Sequence, residues 1–157
     1  MITLNEALGD AQRKRIAIGH FNVSDLVALK AVTGAARALK VPVLIGTSEG
    51  ERDFIGVHEI VAVVASLREE LDHPIFLNAD HTHSLEHAVE ATKAGYDMIG
   101  FDVSTTSLEK NIELTRQAVE AVKSINPRII VEGGLHRQRL GDPRERAREF
   151  APSDEDR

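Results

Sequence analysis

Seven residues, Asn78-Ala79-Asp80-His81-Thr82-His83-Ser84, gather the side chains best suited to chemistry in this chain. A carboxylate beside an imidazole offers a proton-transfer group and a metal ligand on one support. The apolar run Pro74-Ile75-Phe76-Leu77 precedes the segment and an amphipathic stretch from Leu85 to Ala94 follows it. Asp80, His81 and His83 therefore stand where a buried strand hands over to a helix. In α/β folds such strand ends carry the chemistry. Asp80 has a blander reading as a helix N-cap, but Ser84 is better placed for that task. His81 has one too, as a histidine hydrogen-bonded at a strand end.

The rest of the chain alternates between two patterns. Thr3 to about Arg13 reads as a helix opened by a Thr3/Glu6 capping box. Ile16 to Gly19 reads as a short strand, with Phe21-Asn22-Val23 as the loop after it. Ser24 can cap a helix from Asp25 to Leu39, which Pro42 stops before the strand Val43 to Gly46. Thr47 to Gly56 reads as a loop and Val57 to Leu71 as a helix. The spacing then predicts a strand over 75–79, a helix over 84–94 ended by Gly95, and a strand over 98–101. Thr106 and Glu109 read as a second capping box before a helix over 107–124. Asn126-Pro127 turns into a strand at Ile129-Ile130-Val131. Strands written as continuous apolar runs are buried on both faces, which implies a parallel sheet covered by helices. Periodicity leaves open a doubly wound sheet or part of a (β/α)8 barrel.

Composition sets outer limits. A length of 157 residues holds one domain with a real core, and 42% apolar with only 4% aromatic residues makes that core aliphatic. The absence of cysteine excludes disulfides, thiolate metal sites and cysteine nucleophiles. No apolar signal region or membrane-length run occurs, so no membrane partner and a cytoplasmic location are expected. A net charge of −6 argues against nucleic acid while leaving room for a small phosphorylated ligand.

Asn78 to Glu86, followed by Ala94-Gly95-Tyr96-Asp97-Met98-Ile99-Gly100-Phe101-Asp102, resembles the class II, zinc-dependent ketose-bisphosphate aldolases. Gly19-His20-Phe21-Asn22-Val23, Pro42 to Ser48, Asn111 to Thr115 and the opening Val131-Glu132-Gly133 support it in collinear order. The resemblance implies a (β/α)8 barrel with its site at the carboxyl ends of the strands. Such barrels need roughly 250 residues. Residues 1–133 would then be the amino-terminal half: about four βα units and a fifth strand. The expected activity is reversible cleavage of a ketose 1,6-bisphosphate to dihydroxyacetone phosphate and an aldehyde. This chain alone is expected to be truncated and inactive, and the complete protein a homo-oligomer.

By the same resemblance, Asp80 is the catalytic acid/base acting at the C4 hydroxyl, and His81 is one of three histidines holding catalytic Zn2+, which polarises the ketone. Asp102 is expected near the metal and a possible second cation, with Glu132 beside it; the family's next glutamate is replaced by Gly134, which weakens that second site. Asn22 and Ser48 end strands and are candidates to contact the phosphorylated sugar; as bland alternatives they are ordinary loop and turn residues. His81-Thr82-His83 also resembles the paired histidines of metal-dependent hydrolases, a rival reading. That pair follows a first strand in those enzymes and the third here, so His83 is expected behind the site or at the surface. A third reading is a non-catalytic half-barrel that binds or assembles through its open edges.

After Val131 the pattern breaks. Residues 136–157 hold six arginines and six acidic residues and no strand pattern, as in a solvated or disordered end. Codons permitted for Gly134 to Glu145, read one nucleotide later, give Gly-Tyr-Ile-Gly-Ser-Gly-Ser-Glu-Ile-His-Glu, close to the family's usual continuation. An out-of-frame tail from about residue 134 is the expectation, and sequencing the gene across Glu132 decides it.

Overall fold

A computed structural model describes residues 2–135. The expectations for 136–157 lie outside the described residues. The elements run α1 (Leu4–Lys14), β1 (Gly19–Asn22), α2 (Leu26–Leu39), β2 (Val43–Thr47), α3 (Glu49–Ile55) and α4 (Val57–Leu71). They continue β3 (Ile75–Thr82), α5 (Leu85–Ala94), β4 (Met98–Phe101), α6 (Leu108–Ile125) and β5 (Ile130–Gly133). All strand pairs are parallel, in the order β1-β2-β3-β4-β5. A doubly wound sheet reverses direction at a switch point. This sheet never reverses, so the fold is part of a (β/α)8 barrel.

Strand alternation divides the sheet's two faces. Ile45, Ile75, Leu77, Ala79, Ile99 and Phe101 point outward and pack, fully buried, with Leu29, Val64, Ala88 and Ala118 of the helices. The inner face is apolar only at its base. There Leu44 and Phe76 pack with Leu4 and Ala7 of α1, ringed by Ile18, Met98 and Ile130. Above that floor the inner face turns polar, which places the chemistry at the carboxyl end.

The chain's own punctuation explains most boundaries. Thr3 and Glu6 form the expected capping box, with both reciprocal bonds present. Ser84 caps α5 and Gly95 ends it at φ 112°, in the left-handed region that glycine tolerates.

Several boundaries differ. β1 begins at Gly19, where pairing with Val43 starts, so Phe21 and Asn22 are strand rather than loop. Ile16 and Ala17 lie outside the ladder despite their apolar character, and Ile16 is exposed. Asp25, not Ser24, caps α2 through Ala28 N–H. The expected loop 47–56 contains α3, capped by Ser48 with Glu51 completing a box. Ser107, not Thr106, caps α6, because the Thr106 hydroxyl donates to the Val103 carbonyl instead. β3 runs on to Thr82, carrying Asp80 and His81 into the strand.

Candidate functional site

The end of β3 is irregular. Ala79 pairs with Ile99 but Thr82 pairs with Phe101, so three steps on β3 face two on β4. Such a bulge re-aims side chains. His81 occupies it at φ 46°, a left-handed conformation rare for a residue with a side chain. As a result Asp80 and His81, adjacent in sequence, both border one cavity of about 70 Å³ with Gly100, Phe101, Asp102, Glu132 and Gly134. Four expected site residues, Asp80, His81, Asp102 and Glu132, thus meet in one place.

Two of the acidic groups there, Asp102 and Asp80, have defined partners. The Asp102 carboxylate accepts from Ser104 N–H at 3.0 Å and from His81 Nδ1 at 3.1 Å. The Ser104 hydroxyl and N–H, together with His81, outweigh burial and hold the Asp102 carboxyl down at about 2. The same bond to Asp102, and then the charge of Asp80, raises the His81 imidazole above its usual range. In the neutral ring, with Nδ1–H donated to the carboxylate, the other ring nitrogen carries the lone pair. His81 Nε2 stands 3.9 Å from Asp80 Oδ2. Asp80 Oδ2 in turn accepts from Asn22 Nδ2 at 3.0 Å, which ties the first strand to the third.

Glycines make room for this arrangement. A Cβ at Gly46 would collide with Asn22 Oδ1 and His20 Nε2. One at Gly134 would lie 3.0 Å from Asp102 Oδ1. Below Asp80, Asn78 is buried; its Nδ2 faces His20 Nε2 at 3.4 Å, while its Oδ1 has no hydrogen-bond partner among the described residues.

Ser48 sits apart from the cavity as the cap of α3, joined to Asn22 only through Glu51. Glu51 was not anticipated. It accepts from Ser48 N–H at 2.7 Å, Ser24 Oγ at 3.0 Å and Asn22 Nδ2 at 3.3 Å. Burial pushes the Glu51 carboxyl up, but these bonds outweigh it and hold it below the usual carboxylate range. The Ser48-x-x-Glu51 spacing was the available signal. Glu49 was also missed: it accepts from His83 N–H at 2.9 Å and pairs with His87 Nδ1 at 2.8 Å, lacing α3 to α5. His83 donates from Nδ1 to the Asp102 carbonyl at 2.7 Å and is exposed, behind the carboxylate rather than in the cavity lining.

A zinc ion prefers imidazole and carboxylate donors, and a carboxylate on the far ring nitrogen orients a ligating histidine. The His81–Asp102 pair fits that pattern. Among the described residues, however, no group of three or more potential ligands is positioned to hold a metal. The donor set among the described residues fits as one imidazole with its orienting carboxylate. No helix among the described residues is long and apolar enough to cross a membrane.

Comparison with known proteins is consistent along nearly the whole chain. The family model described as fructose-bisphosphate aldolase class-II matches residues 2–141. The chain is 30% identical to the fructose-bisphosphate aldolase of Geobacillus stearothermophilus over 138 residues, covering 86% of this chain and 48% of that protein. It is 33% identical to the probable fructose-bisphosphate aldolase of Bacillus subtilis (strain 168) over 123 residues, 76% of this chain and 43% of that protein. Among solved structures, the YdjI aldolase from Escherichia coli K12 superposes with a TM-score of 0.78 at 29% identity, over 87% of this chain and 52% of that one. The chain therefore spans about half the length of the curated relatives it matches.

Proposed function

This chain belongs to the class II fructose-bisphosphate aldolase family, and on that footing we propose that it supplies the acid/base half of a zinc-dependent aldolase site. The substrate class is a ketose 1,6-bisphosphate, split reversibly into dihydroxyacetone phosphate and an aldehyde. The observation that carries the reading is the convergence of Asp80 and the lone-pair nitrogen of His81 on one cavity, with His81 Nδ1 held by Asp102.

The proton chemistry falls to Asp80. Its carboxylate borders the cavity, and Asn22 fixes one oxygen, leaving the other to take the proton of the C4 hydroxyl in cleavage and return it in condensation. His81 Nε2 serves as one metal ligand, and Asp102 keeps the ring in the required tautomer. When bound, zinc supplies Lewis-acid polarisation of the substrate ketone. Glu132 lines the same cavity and, with Asp102, gives it the negative charge that favours a cation. Asn22 and Ser48 contribute from the first and second strand ends, Asn22 by steering Asp80 and Ser48 by anchoring α3. In the complete protein, a homo-oligomer is the expected state.

Because the described residues furnish a single histidine ligand, the 157-residue chain by itself is expected to show no turnover. Co-expression with the carboxy-terminal half of the Geobacillus stearothermophilus aldolase tests the reading. The expected result is zinc-dependent release of dihydroxyacetone phosphate from fructose or tagatose 1,6-bisphosphate, abolished by Asp80→Ala. Turnover by the chain alone, or turnover indifferent to Asp80→Ala, contradicts it.

A further inference from the structure

Arg52 lies in α3 among charged neighbours, yet it is only 3% exposed. Its hydrogen bonds among the described residues all go to neutral oxygens. Nη1 donates to the Thr47 carbonyl and, at 3.2 Å, to the Asp80 carbonyl; Nη2 donates to the Thr82 hydroxyl at 3.1 Å. A guanidinium removed from water with no carboxylate against it is expensive to keep. A residue needed there only to fill space would be an aliphatic one.

The three oxygens share an origin. Thr47 is the last residue of β2 and pairs with Ala79, so its carbonyl faces the point where β3 departs from regular pairing. Asp80 and Thr82 flank His81, the residue in the left-handed conformation. Arg52 therefore grips the strand immediately before and immediately after His81 and ties both sides to β2. Its planar fork can reach two directions at once, which the single ammonium of lysine does less well. Thr82 Oγ1 in turn donates to the Ala79 carbonyl at 2.9 Å, closing the bulge from within.

We infer that Arg52 is a positioning residue: by holding the Asp80 carbonyl and the Thr82 hydroxyl it fixes the bulge that aims the Asp80 carboxylate and the His81 ring into one cavity. Its consequence for catalysis rests on the aldolase reading above; its structural effect on His81 does not. Neither group that it orients is touched by Arg52 through a side chain, so its influence passes through the backbone.

The test uses the full chain with isotopically labelled histidine and reads the His81 ring nitrogens and ring protons by NMR at one fixed alkaline pH, where the ring is neutral. The unsubstituted chain should show His81 as a single tautomer with its proton on Nδ1. In Arg52→Gln the His81 signals should move toward the average of the two tautomers, while His58 and His73 stay in place. Arg52→Lys should restore the original His81 signature in part. Thr82→Val, which removes the acceptor for Arg52 Nη2 together with the bond to the Ala79 carbonyl, should give a shift of the same sign. His81 signals in Arg52→Gln that superimpose on those of the parent, with only the melting temperature lowered, would overturn the inference. Should Arg52→Gln fail to fold, unchanged His81 signals in both Arg52→Lys and Thr82→Val would overturn it equally. If the chain co-expressed with the carboxy-terminal half of the Geobacillus stearothermophilus aldolase ignores zinc, the aldolase proposal falls, and the His81 spectra still decide the role of Arg52.

Discussion

Asp102→Asn perturbs the pair that orients His81, and its cost follows from the carboxylate's surroundings. The Ser104 hydroxyl and N–H, and then His81, hold the Asp102 carboxyl at about 2 against an ordinary 3.8. The Asp102 side chain is 14% exposed but the His81 side chain against it is 56% exposed, so water screens part of these contacts. At about 1.4 kcal/mol per tenfold change in proton affinity, the depression corresponds to at most roughly 2 kcal/mol of folding free energy. Because the folded value is the lower one, this stability is present above the unfolded value of 3.8 and is lost as pH falls toward about 2. His81 runs the other way. Its folded value is raised, so its share is present below 6.5 and fades as pH rises through that raised value. Urea unfolding of the parent and of Asp102→Asn across pH should therefore differ most between about pH 4 and 6, by up to about 2 kcal/mol; the two should converge on acidification, while on the alkaline side the gap should narrow only by His81's share. A difference below about 0.5 kcal/mol at pH 5, or one that does not shrink on acidification, would refute the reasoning.

Three further outcomes follow from the same geometry. Gly46→Ala should displace Asn22 from Asp80 and lower stability by about 1–3 kcal/mol, seen as a lower melting temperature and a shifted Asn22 side-chain amide signal; an unmoved amide would contradict the crowding. Ser48→Ala should cost about 1 kcal/mol in chemical unfolding by uncapping α3, and a stability equal to the parent's would deny the capping role. In calorimetric zinc titrations of this chain co-expressed with the carboxy-terminal half of the Geobacillus stearothermophilus aldolase, His83→Ala should bind as the parent does, whereas His81→Ala should lose the tight site. The reverse pattern would favour the paired-histidine hydrolase reading.

Much of this architecture is legible from local chemistry. Thr3 with Glu6, Ser84 and Gly95 specify helix ends whatever surrounds them, and the buried apolar runs at 43–46, 75–77 and 98–101 specify strands. What local patterns miss is set by neighbours. Ile16 and Ala17 look like strand, but the ladder starts only where β1 lies beside Val43. α3 has too few apolar residues to announce itself, although its capping box was in view. Asp80, His81 and Thr82 break the apolar pattern of β3, and their place in the strand depends on β4 and on Arg52. Burial of Arg52 among charged neighbours leaves no local trace at all. At the site, the resemblance named Asp80, His81, Asp102 and Glu132, and the fold brings them to one cavity; Ser48 it places elsewhere. The roles of Glu49 and Glu51 emerge only once α3 stands against the strand ends.

Zinc-edge anomalous diffraction from crystals of this chain co-expressed with the carboxy-terminal half of the Geobacillus stearothermophilus aldolase addresses the central claim most directly. The account predicts a peak about 2.0–2.1 Å from His81 Nε2, with Asp80 beside it and Asp102 still bonded to Nδ1. A zinc peak away from His81, or one bound through Nδ1 with Asp102 displaced, would contradict it.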